Sequence, residues 1–283
     1  MCRQLAEAAI AEGVAESCTR NLPFVALASV GLGEGRPNEA VAVLADARAD
    51  AAVLGLGPFE MANLLGVEAQ CRAFAGDDGA LAMARQAVEA SRAIGNPSQL
   101  GITLFSYGLA ARRLEPDGAS TAFEESIALT RRGSSDVVLA PSLIYLAELE
   151  AQRGEKVVAL THARDALRHA RVCGDRPGLL GSLAVLAELL AQAGHAVLAV
   201  RCDAIITVAS WQILTGTALE RHEDILEPAR TEAGPEALAG AAARAASGEF
   251  EDLAAEIIAE LDALIAAEVA AGAGEEERPA ASP

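Results

Sequence analysis

Three arginines, Arg164, Arg168 and Arg171, stand at i, i+4 and i+7, so a helix would present them along one stripe. Aligned guanidiniums grip carboxylates or phosphates through charge-assisted hydrogen bonds. The row is therefore a candidate site for an acidic peptide or a phosphorylated ligand, with pairing to glutamates of adjacent segments as its plainer use. His162 and His169 lie seven residues apart on the same stretch, but a metal needs a third ligand, for which only His195 offers itself. No His/Asp/Glu cluster has ligand spacing, so the histidines read as solvated or cap-adjacent. The acid pairs Glu124/Glu125 and Glu148/Glu150 do not aim at one point, and no nucleophile accompanies them, which makes them a solvated face. Gly31, Gly33 and Gly35 imitate a phosphate loop without the Gly-Lys-Ser/Thr that would follow it. Cys2, Cys18, Cys71, Cys173 and Cys202 are odd in number and form no CxxC pair, which reads as buried free thiols. No catalytic residue, metal or cofactor is assigned.

The elements that position these residues follow from composition and period. Of 283 residues, 52% are hydrophobic but only 3% aromatic, and the net charge is −18. Such a charge argues against a general binder of nucleic acid or of anionic membranes. The N-terminus has no signal-peptide core, and Glu188, Gln192 and His195 interrupt the most apolar stretch, 179–200. The expected location is cytoplasmic. Abundant alanine favours closely approaching helices, and period-two strands are scarce. The fold class is all-α.

Turn signals recur at Gly35-Arg36-Pro37-Asn38, Gly76-Asp77-Asp78-Gly79, Pro116-Asp117-Gly118, Gly154-Glu155 and Gly194-His195. The helices that follow superpose Ala40, Ala80, Ala119, Ala159 and Ala199, at a spacing of about 40 residues. Second glycines, Gly55, Gly95, Gly133 and Gly174, suit the left-handed position past a helix end. Each unit reads as helix A, tight turn, helix B and loop. Helix B buries Ala40/Leu44/Ala47, Ala80/Ala84/Ala87, Ala119/Phe123/Ser126 and Ala159/Ala163/Ala166. Helix A contributes Phe24/Leu27/Ala28, Leu64/Val67, Leu143/Leu146/Ala147 and Leu183/Leu186/Ala187. Glu68 falls where helix A should carry a small residue, and Tyr107-Gly108 fits only after a one-residue shift. No unit buries its apolar stripe alone, so neighbours must stack.

With Leu27-Ala28, Leu146-Ala147 and Leu186-Ala187 in helix A and Ala–large–Ala in helix B, the pattern resembles a tetratricopeptide (TPR) repeat lengthened to about 40 residues. The resemblance implies a right-handed α-solenoid of TPR-like hairpins with a C-terminal helical cap. The expected organisation is a partial repeat helix over 1–20, five hairpins over 21–212, the cap over 213–268 and an acidic disordered tail over 269–283. The first segment reads as a lone second helix whose open end would meet an upstream extension or a second copy. The end of the chain, with Glu220-Arg221-His222-Glu223, the Ala-rich run 236–246 and Gly248-Glu249-Phe250-Glu251-Asp252-Leu253-Ala254, resembles the helical-repeat C-terminal region of actinobacterial LuxR/MalT-like ATPase regulators and ATPase-linked nucleotide cyclases. Asp203-Ala204-Ile205-Ile206 departs from that family's pattern.

The resemblance implies a non-catalytic module that binds a protein or peptide partner, for instance an upstream ATPase or cyclase module, in a groove lined by A helices. Tyr107, Tyr145 and Glu148 are groove candidates beside Arg164, Arg168 and Arg171. The alternative is an enzyme with a pocket inside the superhelix. Direct DNA binding would need a basic recognition helix, which the acidic C-terminal half does not supply.

Overall fold

A computed structural model describes residues 2–12, 21–132, 138–209 and 217–276, all of whose regular elements are helices. Gly133 and Cys18, singled out above, lie outside them. The chain divides into two compact units at Ser142/Leu143. The division passes through helix α9, inside the span expected to hold five repeats.

The first unit contains α1 (Cys2–Glu12), α2 (Leu22–Gly33), α3 (Pro37–Ala49), the single turn α4 (Ala51–Leu54), α5 (Pro58–Phe74), α6 (Ala80–Ile94), α7 (Pro97–Ala111), α8 (Pro116–Arg131) and the start of α9 (Leu139–Gln152). The pairs α2/α3, α5/α6 and α7/α8 pack as hairpins across the predicted turns, and each stacks on the next. Proline opens α3, α7 and α8, where its missing N–H costs nothing. Asn96 caps α7 by accepting the N–H groups of Ser98 and Gln99. Gly95, at φ 73°, ends α6 in the left-handed conformation expected for it.

The predicted small-residue seam is buried: Ala40, Leu44, Ala47, Ala80, Ala84, Ala87, Ala119, Phe123 and Ser126 are all interior. In the middle two hairpins the seam is offset. The buried small residue nearest the expected position is Ala69 in α5, eleven residues before Ala80, and Gly108 in α7, eleven before Ala119. In α2 the separation is twelve, Ala28 to Ala40. The small position thus lies one residue nearer the turn in these two hairpins, which leaves Glu68 beside the seam position and not on it. Glu68 is nonetheless fully buried.

Gly108 shows how tight the seam is. A Cβ there would stand 2.5 Å from the ring of Phe123, itself fully buried. Gly108→Ala gains about 1 kcal/mol of helix propensity, but overpacking costs about 1–3 kcal/mol. The expected net result is a lower Tm. Gly181→Ala, whose Cβ would meet nothing within 4 Å, is expected to raise Tm slightly, and thermal denaturation of the two variants checks the pair. Equal shifts would show that the Gly108–Phe123 contact is slack.

The second unit contains the rest of α9, α10 (Lys156–Cys173), α11 (Arg176–Ala193), α12 (Ala196–Val208), α13 (Thr217–Ser247) and α14 (Phe250–Glu276). Its interior holds Leu143, Leu146, Ala147, Ala159, Ala163, Ala166, Leu183, Leu186, Ala187 and Ala199, the predicted set. Gly174, at φ 65°, ends α10, and Asp175 caps α11 by accepting the N–H of Gly178. Helix α13 packs on α12 and α11 and breaks at Gly234, whose positive φ (φ 79°, ψ 168°) is open to glycine, and Pro235 behind it has no N–H with which to continue the helical ladder. Helix α14 runs to Glu276, past the expected cap boundary at 268, so 269–276 are helical rather than tail. Alanine at 270, 271 and 273 outweighs the two glycines there. Residues 277–283 lie outside the described set.

Candidate functional site

The arginine stripe sits on α10 as expected, but helix α14 lies over it. Arg164 donates to Asp262 Oδ1 at 3.1 Å and to its neighbour Asp165 at 2.7 Å, while Arg168 pairs with Asp262 Oδ2. Arg171, one turn on, is exposed. The plainer reading of the row therefore holds for its first two members, with an aspartate of the C-terminal helix as the partner.

What places α14 there is an apolar stripe read at helical spacing. Leu253, Ile257, Leu261 and Ile265 recur every four residues and are buried, with Ala254 and Ile258 beside them. The acids flanking that stripe meet bases on the underlying helices. Arg201 of α12 pairs with Glu260 and lies 3.6 Å from Glu256; His195 lies 3.6 Å from Glu268. At the start of α14, the Arg176 guanidinium lies over the Phe250 ring, 4.9 Å from its centroid, a favourable cation–π distance. The sequence carried a signal for this arrangement, an apolar i, i+4 stripe with flanking acids opposite an arginine row, but it named no segment that the row would meet.

A second charged cluster joins α11, α12 and α13. His222 is 2% exposed. Its Nδ1 faces Glu188 Oε1 at 3.0 Å and its Nε2 faces Asp203 Oδ1 at 3.4 Å, so both ring nitrogens donate when the ring is charged. Burial opposes that charge, but the hydrogen bonds to Asp203 and Glu188 and their negative charges outweigh it and carry the His222 pKa up to about 9. Arg230 donates to Asp203 Oδ2 at 2.8 Å and also pairs with Glu223. Burial pushes the Asp203 pKa up, but His222 and Arg230 hold it below the ordinary carboxylate value. Arg221 donates to Glu188 Oε2 at 2.9 Å and lies 3.9 Å from Glu148. Glu148 and Glu188 are one 40-residue repeat apart, so equivalent positions on successive A helices share one arginine.

These contacts correct two readings. Reading the histidines as solvated or cap-adjacent fails for His222, and fails in part for His162, which is half-buried against Glu150 at 2.8 Å. Reading Glu148/Glu150 as a solvated face fails because Glu150 is 6% exposed and Glu148 is half-buried. In both cases spacing within one helix does not reveal a partner supplied by another helix.

The remaining candidates are more modest. Tyr107 rests against Val88, Leu104 and Ala122, and its hydroxyl donates to Glu115 Oε2 at 3.0 Å. Glu115 in turn takes Arg85 at 2.5 Å. Tyr145 is half-buried, one turn before Glu148 on α9. The structure thus places Tyr145, Glu148 and the exposed Arg221 in one unit and Tyr107 in the other. Among the cysteines, Cys71 and Cys202 are buried, and burial pushes both thiols up, Cys71 to about 12. Cys173 is exposed, against expectation, because it is the last residue of α10 and faces out beside the helix end. Among the described residues, no group of three or more His, Cys, Asp or Glu side chains is arranged to hold a metal ion. Among the same residues, no helix is long and apolar enough to cross a membrane.

No family model matches the chain, and no curated protein matches it. Among solved structures it is similar to a kinesin light chain-like protein of Podosopora anserina built of nearly identical TPR-like repeats. The identity is 16% over 77% of this chain and 98% of that one, with a TM-score of 0.47.

Proposed function

We propose that this chain is a non-catalytic protein-interaction module of a bacterial signalling or transcriptional regulator. The observation that carries the reading is the grip of Arg164 and Arg168 on Asp262: an α10 arginine face receiving an acidic helix. The buried ionic groups support it. Glu68, Glu150, Glu188 and His222 each pair with a group from a neighbouring helix, which is the chemistry of a scaffold holding its faces in place. The regulator context rests on the resemblance of Glu220-Arg221-His222-Glu223 and of 248–254 to the end of ATPase-linked regulators. A partner taken up this way would be a peptide or a domain such as an ATPase or cyclase module, bound without cofactor.

The test is capture of partners on the immobilised full chain, followed by reconstitution of each with purified protein in a titration calorimeter. A saturable one-to-one complex is expected. Absence of any reconstitutable partner, together with substrate turnover by the purified chain, would favour an enzyme with an internal pocket instead.

A further inference from the structure

The α10/α12 face that α14 occupies has the make-up of a binding surface. It presents a basic rim, Arg164 and Arg168 on α10 and Arg201 on α12, around the apolar ground that receives Leu253, Ile257, Leu261 and Ile265. Its occupant is joined to α13 only through the short link Gly248-Glu249. It is the last of the described elements, so among the described residues its release breaks no other. Much of what aligns it is exchangeable: Asp262, Glu256, Glu260 and Glu268 are all exposed by more than a third and screened by salt.

We infer that this face is a receptor for an acidic amphipathic helix supplied by a partner protein, and that α14 is its resident occupant within the same chain. The recognition rule can be read from α14 itself. Apolar residues recur every four positions over three turns, one carboxylate lies between Arg164 and Arg168, and two carboxylates one turn apart reach Arg201. A partner helix with the same pattern competes with α14, and the affinity observed is reduced by the fraction of molecules in which α14 holds the site. The inference rests on the interaction-module reading and specifies its surface.

The probe is a fluorescein-labelled synthetic peptide of residues 250–269, followed by anisotropy on the full chain. Weak binding to the unaltered chain is expected. In the Asp262→Arg chain the resident helix is repelled by Arg164 and Arg168, and the unaltered peptide is expected to bind at least tenfold tighter. Adding Arg164→Glu and Arg168→Glu to that chain should remove the gain. A peptide carrying Asp262→Arg should restore it against the Arg168→Glu chain. Asp262→Asn serves as a milder release if the charge reversal lowers helicity by circular dichroism. Equal binding by a composition-matched scrambled peptide, or no gain in either released chain, would overturn the proposal and make α14 a fixed part of the core. A reconstituted partner indifferent to all these variants would overturn it too, while leaving the module reading intact.

Discussion

Replacing Arg48 and Arg72 together by methionine is expected to cost the first unit about 3–5 kcal/mol, the range for stranding a buried charge. Glu68 has no exposed surface. Its carboxylate takes Arg48 Nε at 2.9 Å and Arg72 at 2.8 and 3.0 Å, and Arg72 reaches on to Asp77 at 2.5 Å. Arg48 belongs to α3, while Glu68 and Arg72 belong to α5, so the cluster ties one hairpin to the next. The arginines keep 34% and 24% of their side-chain surface in water, so they can be solvated without Glu68. The converse does not hold: without them the carboxylate has lost its water and its counter-charges. The asymmetry sets the order of effects. Glu68→Met alone should cost less than the double arginine change, and adding it to that double change should recover most of the loss. Urea denaturation followed by far-UV circular dichroism gives the energies, and hydrogen exchange should place the loosening in α3–α6. A double-arginine variant that costs less than about 1 kcal/mol would mean that Glu68 finds water the geometry does not show.

The same residue shows what sequence could and could not reveal. The helix-B alanines and the turn glycines are local facts: each depends on spacing within about 40 residues, and among the described residues the alanines are buried and Gly35, Gly55, Gly76, Gly95, Gly154, Gly174 and Gly194 take positive φ. The one-residue offset was legible in the third unit, where Tyr107-Gly108 fits only after a shift, but not in the second, where the hydrophobic pattern gave no sign that the small position lay one residue on. Glu68 therefore looked like a misfit when its neighbour Ala69 was the seam residue. Buried ionic partners were the second blind spot. Glu150 with His162, Glu188 with His222 and Arg48 with Glu68 are separated by 12, 34 and 20 residues. Each pair is joined only when separate helices pack together, α9 with α10, α11 with α13 and α3 with α5. The α10 arginines were legible as a stripe because they share one helix; Asp262, 94 and more residues on, was not. A carboxylate expected from an adjacent unit came instead from the terminal helix.

The stability of the second unit is expected to be level between about pH 4 and 6.5 and then to fall by roughly 3 kcal/mol as the pH rises to 9, with His222 as the cause. The sign follows from the direction of its shift. A histidine whose pKa is 6.5 when unfolded and about 9 when folded binds a proton more tightly in the folded state. Its contribution is complete below 6.5, where both states are charged, and is lost as the folded ring gives up its proton near 9. Asp203 acts on the other flank. Its pKa is lowered from 3.8 by His222 and Arg230 against burial, so its contribution is present above 3.8 and lost as the pH falls through the depressed value. Thiols do not confuse the upper window: Cys71 and Cys202 are raised from 9.0 by burial, so they oppose folding only above that value, where the unfolded thiols ionise. Arg230, which shares the cluster, is raised by its hydrogen bonds to Glu223 and Asp203 and stays charged throughout. His222→Gln keeps a donor for one carboxylate but cannot titrate. In that variant the decline between pH 6.5 and 9 should flatten, at the cost of a lower plateau, because Glu188 and Asp203 then face one another with less positive charge between them. Thermal denaturation across the pH series, with hydrogen exchange reporting on α11–α13, reads both quantities. A variant that keeps the full decline would assign the titration to another group and leave His222 as packing alone.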